Sequence, residues 1–460
     1  MSDKVQFDGV HHSEPDDAPR APAAGRGTFR FAGALEDLSA ADCRALFERS
    51  TSLDDAVRTR TAAIVERVRR EGDEALVALA RELDDVHFAS AAELEVPRDR
   101  WREALAALDP ALRAAMERAA RNIATAHRAF LPIAAEVETE PGVVVGRRAD
   151  PLAAVGVYAP GGRAAYPSSL LMGAVPARVA GVERVIVCSP PCADGGLPSA
   201  VVLAAAELAD VDRVFALGGA GAIAALAYGT VTVPRVDRVV GPGNAYVAEA
   251  KLQLAGVVAI DAPAGPSELL VVADFTADPA AVARELLAQA EHDPRAAVVA
   301  VAVGGEVAEQ IAAAVDEQLP EHPRAAVVRE SLAARGALLE AQTYDEAIAF
   351  ANRYAAEHLQ LSVNEPAQGP LLERLRNVGT VFVGESSSVA FGDYMTGANH
   401  VLPTGGLARS YSGLSTLDFV RWTSYQRVSR DAARRMSRDV ALFAEAEGLP
   451  GHATAARGFE

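Results

Sequence analysis

Cysteine is nearly missing: Cys43, Cys188 and Cys192 are the only three in 460 residues. Three thiols cannot build a disulfide framework, and they lack the paired Cys-x-x-Cys spacing of a thiolate zinc site. Such scarcity fits a reducing compartment. No run of about 18 uncharged apolar residues occurs, which removes a membrane-spanning helix from consideration. Positive charge is also short, with 44 Lys+Arg against 62 Asp+Glu and a formal net charge of −18. A field of that sign repels phosphate backbones and anionic lipid, so neither nucleic acid nor a membrane is an expected partner. The N-terminus carries no basic-then-apolar secretory pattern, and no Gly-x-x-x-x-Gly-Lys-[Ser/Thr] triphosphate loop is present. What remains is a soluble, cytoplasmic, acidic protein with enough apolar residues for two to four compact units.

Residues 1–28 are rich in Asp, Pro, Ala and Gly without periodicity and are expected to form a flexible tail, with His11 and His12 as solvated residues in it. From Leu38 to Phe130 the apolar residues recur at helical spacing (Val57, Ile64, Val65, Val68, Leu76, Val77, Ala80), so 29–150 reads as a helical N-terminal region. The pair Asp54–Asp55 suits the start of a helix there. At Pro151 the period changes. Strand-length apolar runs (Val155–Ala159, Val185–Ser189, Val214–Leu217, Val236–Val240, Leu269–Ala273, Ala296–Val303, Leu359–Val363, Val378–Val383) alternate with helical stretches. That alternation predicts an α/β fold of two Rossmann-like, incomplete doubly wound, mostly parallel units, at 151–266 and 267–390. Residues 391–460 read as a loop followed by a helical tail, with a helix over Ser429–Glu447.

Doubly wound sheets bind ligands at the carboxyl ends of their strands, where glycines let the backbone approach closely. Four such turns occur: Tyr158-Ala-Pro-Gly-Gly162, Gly218-Gly-Ala-Gly221, Gly241-Pro-Gly-Asn244 and Pro263-Ala-Gly-Pro-Ser267. Gly219, Gly221 and Ala224 match the Gly-x-Gly-x-x-Ala dinucleotide pattern, and Asp237 follows near the distance of a ribose-binding carboxylate. A tight turn in an alanine-rich chain would look the same.

Polar residues of chemical interest gather in the last 170 positions. Gln289 and His292 stand three apart at the predicted end of a helix, where both side chains share a face; a His there also serves as a dipole or capping partner. Glu357 and His358 meet at a helix-to-strand junction and combine a carboxylate with an imidazole, the equipment of a general base at neutral pH. Asp393 and His400 share the loop Gly392-Asp-Tyr-Met-Thr-Gly-Ala-Asn-His-Val-Leu-Pro403, and Glu447 precedes His452 near the C-terminus. Nitrogen and oxygen ligands without cysteine suit Zn²⁺, Mn²⁺ or Co²⁺.

Taken together, six segments resemble the histidinol dehydrogenase family, from Asp37 to His452. They are Val155-Gly-Val-Tyr-Ala-Pro-Gly-Gly162, Gly241-Pro-Gly-Asn-Ala-Tyr-Val247, Ile260-Asp-Ala-Pro-Ala-Gly-Pro-Ser-Glu268, Gln289-Ala-Glu-His292, Glu357-His-Leu359 and Asn399-His-Val-Leu-Pro-Thr404. The resemblance implies a zinc-dependent oxidation of L-histidinol through L-histidinal to L-histidine with two NAD⁺, the last two steps of histidine biosynthesis. It implies one Zn²⁺ per subunit held by Gln289, His292, Asp393 and His452, and an acid–base pair of Glu357 and His358. Substrate contacts carry over to Ser267, Gln289, His292, His358, Asp393, His400, Glu447 and His452. NAD contacts carry over to Tyr158, Gly221 and Asn244, although the family often has Gln where this chain has Gly221. It further implies a homodimer in which the C-terminal segment reaches the partner's site.

The residue types suit that chemistry. Alcohol oxidation needs a base for the hydroxyl proton as hydride leaves, and aldehyde oxidation needs a water activated to hydrate the carbonyl. His358 fits the first task and Glu357 the second. Three rival readings are a relative that oxidises another small alcohol or diol, a thiol-dependent aldehyde dehydrogenase using Cys188 or Cys192, and a binding protein that keeps only the scaffold. Cys188 ends an apolar run and is expected to pack as a small hydrophobe.

Overall fold

A computed structural model describes residues 28–49, 54–161, 165–193 and 195–460. The sequence positions His11 and His12, the body of the expected tail and Gly162 lie outside the described residues.

The strands are β1 (Phe31–Ala34), β2 (Ala135–Glu140), β3 (Val143–Pro151), β4 (Ala154–Tyr158), β5 (Arg184–Ser189), β6 (Arg213–Ala216), β7 (Arg238–Val240), β8 (Ala259–Ile260), β9 (Glu268–Ala273), β10 (Ala297–Val303), β11 (Ala337–Ala341), β12 (His358–Ser362), β13 (Thr380–Val383) and β14 (Val420–Val428). Among the described residues they form three sheets. A five-stranded sheet has the order β6-β5-β4-β7-β8 and a six-stranded sheet the order β1-β11-β10-β9-β12-β13. Every pairing in both is parallel. The third, β14-β3-β2, is antiparallel.

Helices cover both faces of each parallel sheet, which is why β4, β9 and β10 are apolar at nearly every position rather than at alternate ones. The N-terminal helices belong to the first sheet. Trp101, Met116 and Ile123 join the core on one face, and Val65, Val68, Leu76 and Leu79 the core on the other. The helix Asp55–Glu71 starts where the acidic pair marked it. Asp54 Oδ1 accepts from the N–H groups of Ala56 and Val57, which would otherwise be unpaired.

Both flanking regions carry the expected helices and, in addition, strands. Residues 29–150 are not wholly helical: β1 adds an edge strand to the six-stranded sheet, and β2 and β3 form a hairpin around Pro141-Gly142, with Gly142 at φ +83°. Residues 391–460 hold a nine-residue strand, β14, which pairs with β3 along its whole length. Four residues are too few to show a period, so β1 depends on its partner Ala337–Glu340 far along the chain. The ribbon β14-β3-β2 is largely solvent-exposed and so has no apolar face to betray it.

Candidate active site

The two parallel sheets present opposite edges to one site. The first presents carboxyl ends: the helix Pro167–Ala180 follows β4, and the Gly241 turn follows β7. The second presents amino ends, since Glu268 is the first residue of β9 and His358 the first of β12. The expectation that every ligand-facing turn would lie at carboxyl ends therefore fails for the second sheet. Asp274, directly after β9, accepts from Thr276 N–H (2.8 Å) and Oγ1 (2.6 Å), from Tyr344 hydroxyl (2.5 Å) and from Asn364 N–H (3.0 Å) and Nδ2 (2.8 Å). Burial alone would raise its pKa, but these donors overcome that and hold the carboxyl at about 2.

Glu357 and His358 lie at the helix-to-strand junction as the sequence indicated, between the helix Tyr344–Tyr354 and β12. The helix ends on Ala355 in the left-handed conformation (φ +56°), uncommon for a residue with a Cβ, and this turns the chain abruptly into Glu357. Both side chains are buried. His358 Nδ1 stands 3.0 Å from the Glu268 carbonyl oxygen and 3.5 Å from Glu357 Oε2. A carbonyl only accepts, so Nδ1 carries the proton and the lone pair of a neutral ring lies on Nε2. That atom is buried without a hydrogen-bond partner and points toward Asp393, with 3.7 Å to Oδ1. Glu357 Oε2 accepts from Glu268 N–H at 2.7 Å. Burial raises the Glu357 pKa against the pull of His358. Burial lowers the pKa of His358, but Glu357 and Asp393 outweigh it and raise it overall.

His400 joins the two edges. Its Nδ1 lies 2.9 Å from the Asp393 carbonyl oxygen and its Nε2 3.2 Å from Ser169 Oγ, in the first turn of the helix after β4. Burial lowers its pKa, the opposite of the net shift at His358. Asn399, just before it, is fixed through Nδ2 to the Met172 carbonyl (2.7 Å). Ser267, half-buried, immediately precedes Glu268 at the start of β9.

Gln289 and His292 do not share a helical face as expected. The helix Pro279–Ala290 carries a buried Gln289, whereas exposed His292 lies past the C-cap Glu291, its Nδ1 3.3 Å from the Gln289 carbonyl. Its Nε2 faces away from that contact. Glu447 caps the helix Arg430–Ala446, and His452 sits in the helix Pro450–Arg457; both are exposed. Among the described residues no group of three or more His, Cys, Asp or Glu is close enough to hold a metal ion. Within one chain, then, His292, Asp393 and His452 do not converge.

The residues marked for the cofactor have local work. Tyr158 is buried and its hydroxyl accepts from Gly219 N–H at 3.1 Å; burial pushes the phenol up to about 12. Asn244 caps the helix Ala245–Leu254 through Oδ1, leaving an exposed amide Nδ2 beside the Gly241 turn. Gly241 needs its hydrogen: at φ +114° a Cβ would lie 2.1 Å from the Tyr158 carbonyl oxygen. Gly221 faces protein rather than a cleft, for a Cβ there would stand 3.1 Å from Leu79 Cδ1. Asp237 is no ribose ligand. It precedes β7 at the amino edge, where Oδ2 accepts from Ala153 and Ala154 N–H (3.1 and 3.0 Å). Cys188 is fully buried, with its thiol pKa raised by burial, while Cys192 is exposed. Sequence reasoning gave no role to Ser169, Arg49 or Glu268; the last lay inside a quoted motif, but the first two carry no pattern at all.

The family model described as histidinol dehydrogenase matches residues 47–458. A histidinol dehydrogenase of Methanosarcina barkeri is 43% identical over 424 residues, covering 92% of this chain and 96% of that protein. One from Haloarcula marismortui is 48% identical over 425 residues, covering 92% and 98%. The crystal structure of histidinol dehydrogenase from Elizabethkingia anophelis aligns with a TM-score of 0.88 at 32% identity, covering 94% of this chain and 98% of that one.

Proposed function

The chain belongs to the histidinol dehydrogenase family, and from that premise we propose that it oxidises L-histidinol through L-histidinal to L-histidine with two NAD⁺ and one Zn²⁺ per subunit, in the cytoplasm. The observation that carries this reading is His358 Nε2: a buried, unpartnered imidazole nitrogen that faces Asp393, on a ring whose other nitrogen is held by the Glu268 carbonyl and the buried Glu357.

Gln289, His292, Asp393 and His452 are the residues that would hold the metal. The donor set fits zinc, with an amide oxygen, two imidazole nitrogens and a carboxylate, and with Nε2 of His292 left free by the contact that occupies Nδ1. Zinc, when bound, supplies an orienting charge for an imidazole- and amine-bearing substrate. His358 takes the alcohol proton at Nε2 in its neutral form, which its raised pKa makes more abundant as pH rises, while hydride passes to the nicotinamide. Glu357, its pKa raised by burial, takes a proton from the water that hydrates the aldehyde, and a second hydride then leaves the resulting tetrahedral carbon. His400, neutral and anchored on both sides, orients the substrate, with Ser267 lining the same edge.

His452 and Glu447 enter this scheme from a second subunit. The arm that carries them exposes Val440, Leu442, Phe443 (72%) and Leu449, an apolar stripe that a lone chain leaves in water. A homodimer with shared sites buries the stripe and completes the ligand set. NAD⁺ lies across the carboxyl edge of the first sheet, beside Tyr158 and Asn244, and the filled position at Gly221 leaves that turn a backbone contact only.

The test is stoichiometric. Purified protein should form two NADH per L-histidinol and stop when a chelator removes its zinc. A zinc-loaded protein that never reduces NAD⁺ with L-histidinol would end this reading.

A further inference from the structure

The scheme above uses the main chain of Glu268 and leaves its side chain idle. Yet this residue supports both members of the acid–base pair, giving its N–H to Glu357 Oε2 (2.7 Å) and its carbonyl to His358 Nδ1 (3.0 Å). Any tilt of the Glu268 backbone moves both groups at once.

That tilt is governed by a buried fork. Arg49 Nε and Nη2 reach the two Glu268 carboxylate oxygens at 2.8 and 3.2 Å, with side-chain exposures of only 3% and 2%. Arg49 donates further to the carbonyls of Tyr354 (2.8 Å) and Leu46 (3.3 Å), and its guanidinium lies 3.5 Å over the Tyr354 ring. Glu268 Oε1 also accepts from Gly405 N–H (2.8 Å), on the segment that continues from His400. One ion pair therefore ties together the chain just past the helix Ala40–Phe47, the end of the helix that precedes Glu357, the first residue of β9 and the His400 loop.

A buried pair is a poor device for stability alone, since desolvation offsets most of the attraction. What a guanidinium–carboxylate fork supplies is direction, two parallel hydrogen bonds that fix a plane. We propose that Arg49 and Glu268 form a positioning pair that sets the angle of Glu357 and His358 through the Glu268 main chain. The inference rests on the assignment of Glu357 and His358 as the acid–base pair.

Arg49→Lys keeps the charge and loses the fork; Glu268→Gln keeps the shape and loses the charge. Arg49→Gln/Glu268→Gln leaves no unpaired charge in the core and carries the test if a single variant does not fold. The full-length, zinc-loaded variants are assayed with L-histidinol and NAD⁺, alongside bound zinc and thermal unfolding. Folded variants should lose about tenfold or more in kcat, with KM for L-histidinol within about twofold and zinc retained, because small misplacements of reacting groups act on turnover. The double variant should lose no more than the worse single one, since both residues act through one peptide. A folded variant with kcat within about twofold of the parent overturns the proposal. So does a loss of zinc or a rise in KM in step with kcat, which marks general damage. Glu357→Gln and His358→Asn, run in parallel, separate the two failures. If they retain turnover the acid–base assignment is wrong; if only they lose it, the positioning role is.

Discussion

Alanine at position 379 should damage turnover from outside the substrate site. Gly379 directly precedes β13, and its N–H donates to the Ala356 carbonyl at 3.0 Å, while Thr380 N–H donates to the Glu357 carbonyl at 2.9 Å. A Cβ on Gly379 would stand 2.5 Å from the Glu357 carbonyl oxygen, 3.3 Å from its carbon and 3.4 Å from its Cα. The obstacle is backbone, so no rotamer relieves it. Restoring ordinary contact requires the two strands to part by roughly 0.7 Å or more. The peptide that moves is the one joining Glu357 to His358. Overpacking of this kind costs about 1–3 kcal/mol, and a shift approaching 1 Å at the reacting groups costs up to about 100-fold in kcat. Gly256→Ala is the matched control, since nothing lies within 4 Å of its Cβ position, and its stability should stay within about 0.5 kcal/mol of the parent. Denaturant unfolding and initial rates of NADH formation read both effects. A Gly379→Ala protein with parental stability and kcat would mean that the Glu357–His358 peptide has slack, and rigid placement of the pair would have to be abandoned.

Mixing variants tests the shared site. If His452 is supplied in trans, His358→Asn and His452→Asn homodimers are both inactive, but heterodimers formed by refolding them together regain one intact site; no recovery places His452 in its own subunit's site. Acid stability should report Asp274. Its pKa is depressed to about 2, so its contribution is complete above the ordinary carboxyl value near 4 and fades as pH falls from there toward 2. Asp274→Asn should remove that pH-dependent part, on the order of 2 kcal/mol, and leave the unfolding curve flatter below pH 4; an unchanged acid limb would contradict the hydrogen-bond set. Replacing Cys188 and Cys192 together by alanine should leave both oxidations intact and cost only the stability of the buried thiol, about 1–2 kcal/mol. Loss of the second NADH alone would bring back a thiol route.

The parallel sheets were legible because their strands are buried on both faces and so announce themselves as apolar runs, as in Val185-Ile-Val-Cys188. The Glu357–His358 junction was legible too, since one helix and one strand meet there with little chain between them. Contacts made across long separations were not. Arg49 lies 219 positions before Glu268, and Ser169 lies 231 before His400. No local spacing encodes either pair. The Gly-x-Gly-x-x-Ala match at 219–224 is ambiguous for the same reason: the pattern records a tight turn, while the leucines that pack against it come from the helix Asp73–Leu83.

The short edge strand β1 sets a problem of timing. Phe31 pairs with Ala337, so ribosomes must add about 300 further residues before β1 can find its partner, roughly 15–60 s at ordinary synthesis rates. Through that interval the strand is an open template for stray pairing, and four residues with a glycine at the third make it a weak one. The five-stranded sheet, drawn wholly from residues 154–260, has no such wait and can be complete while its neighbour is still being made.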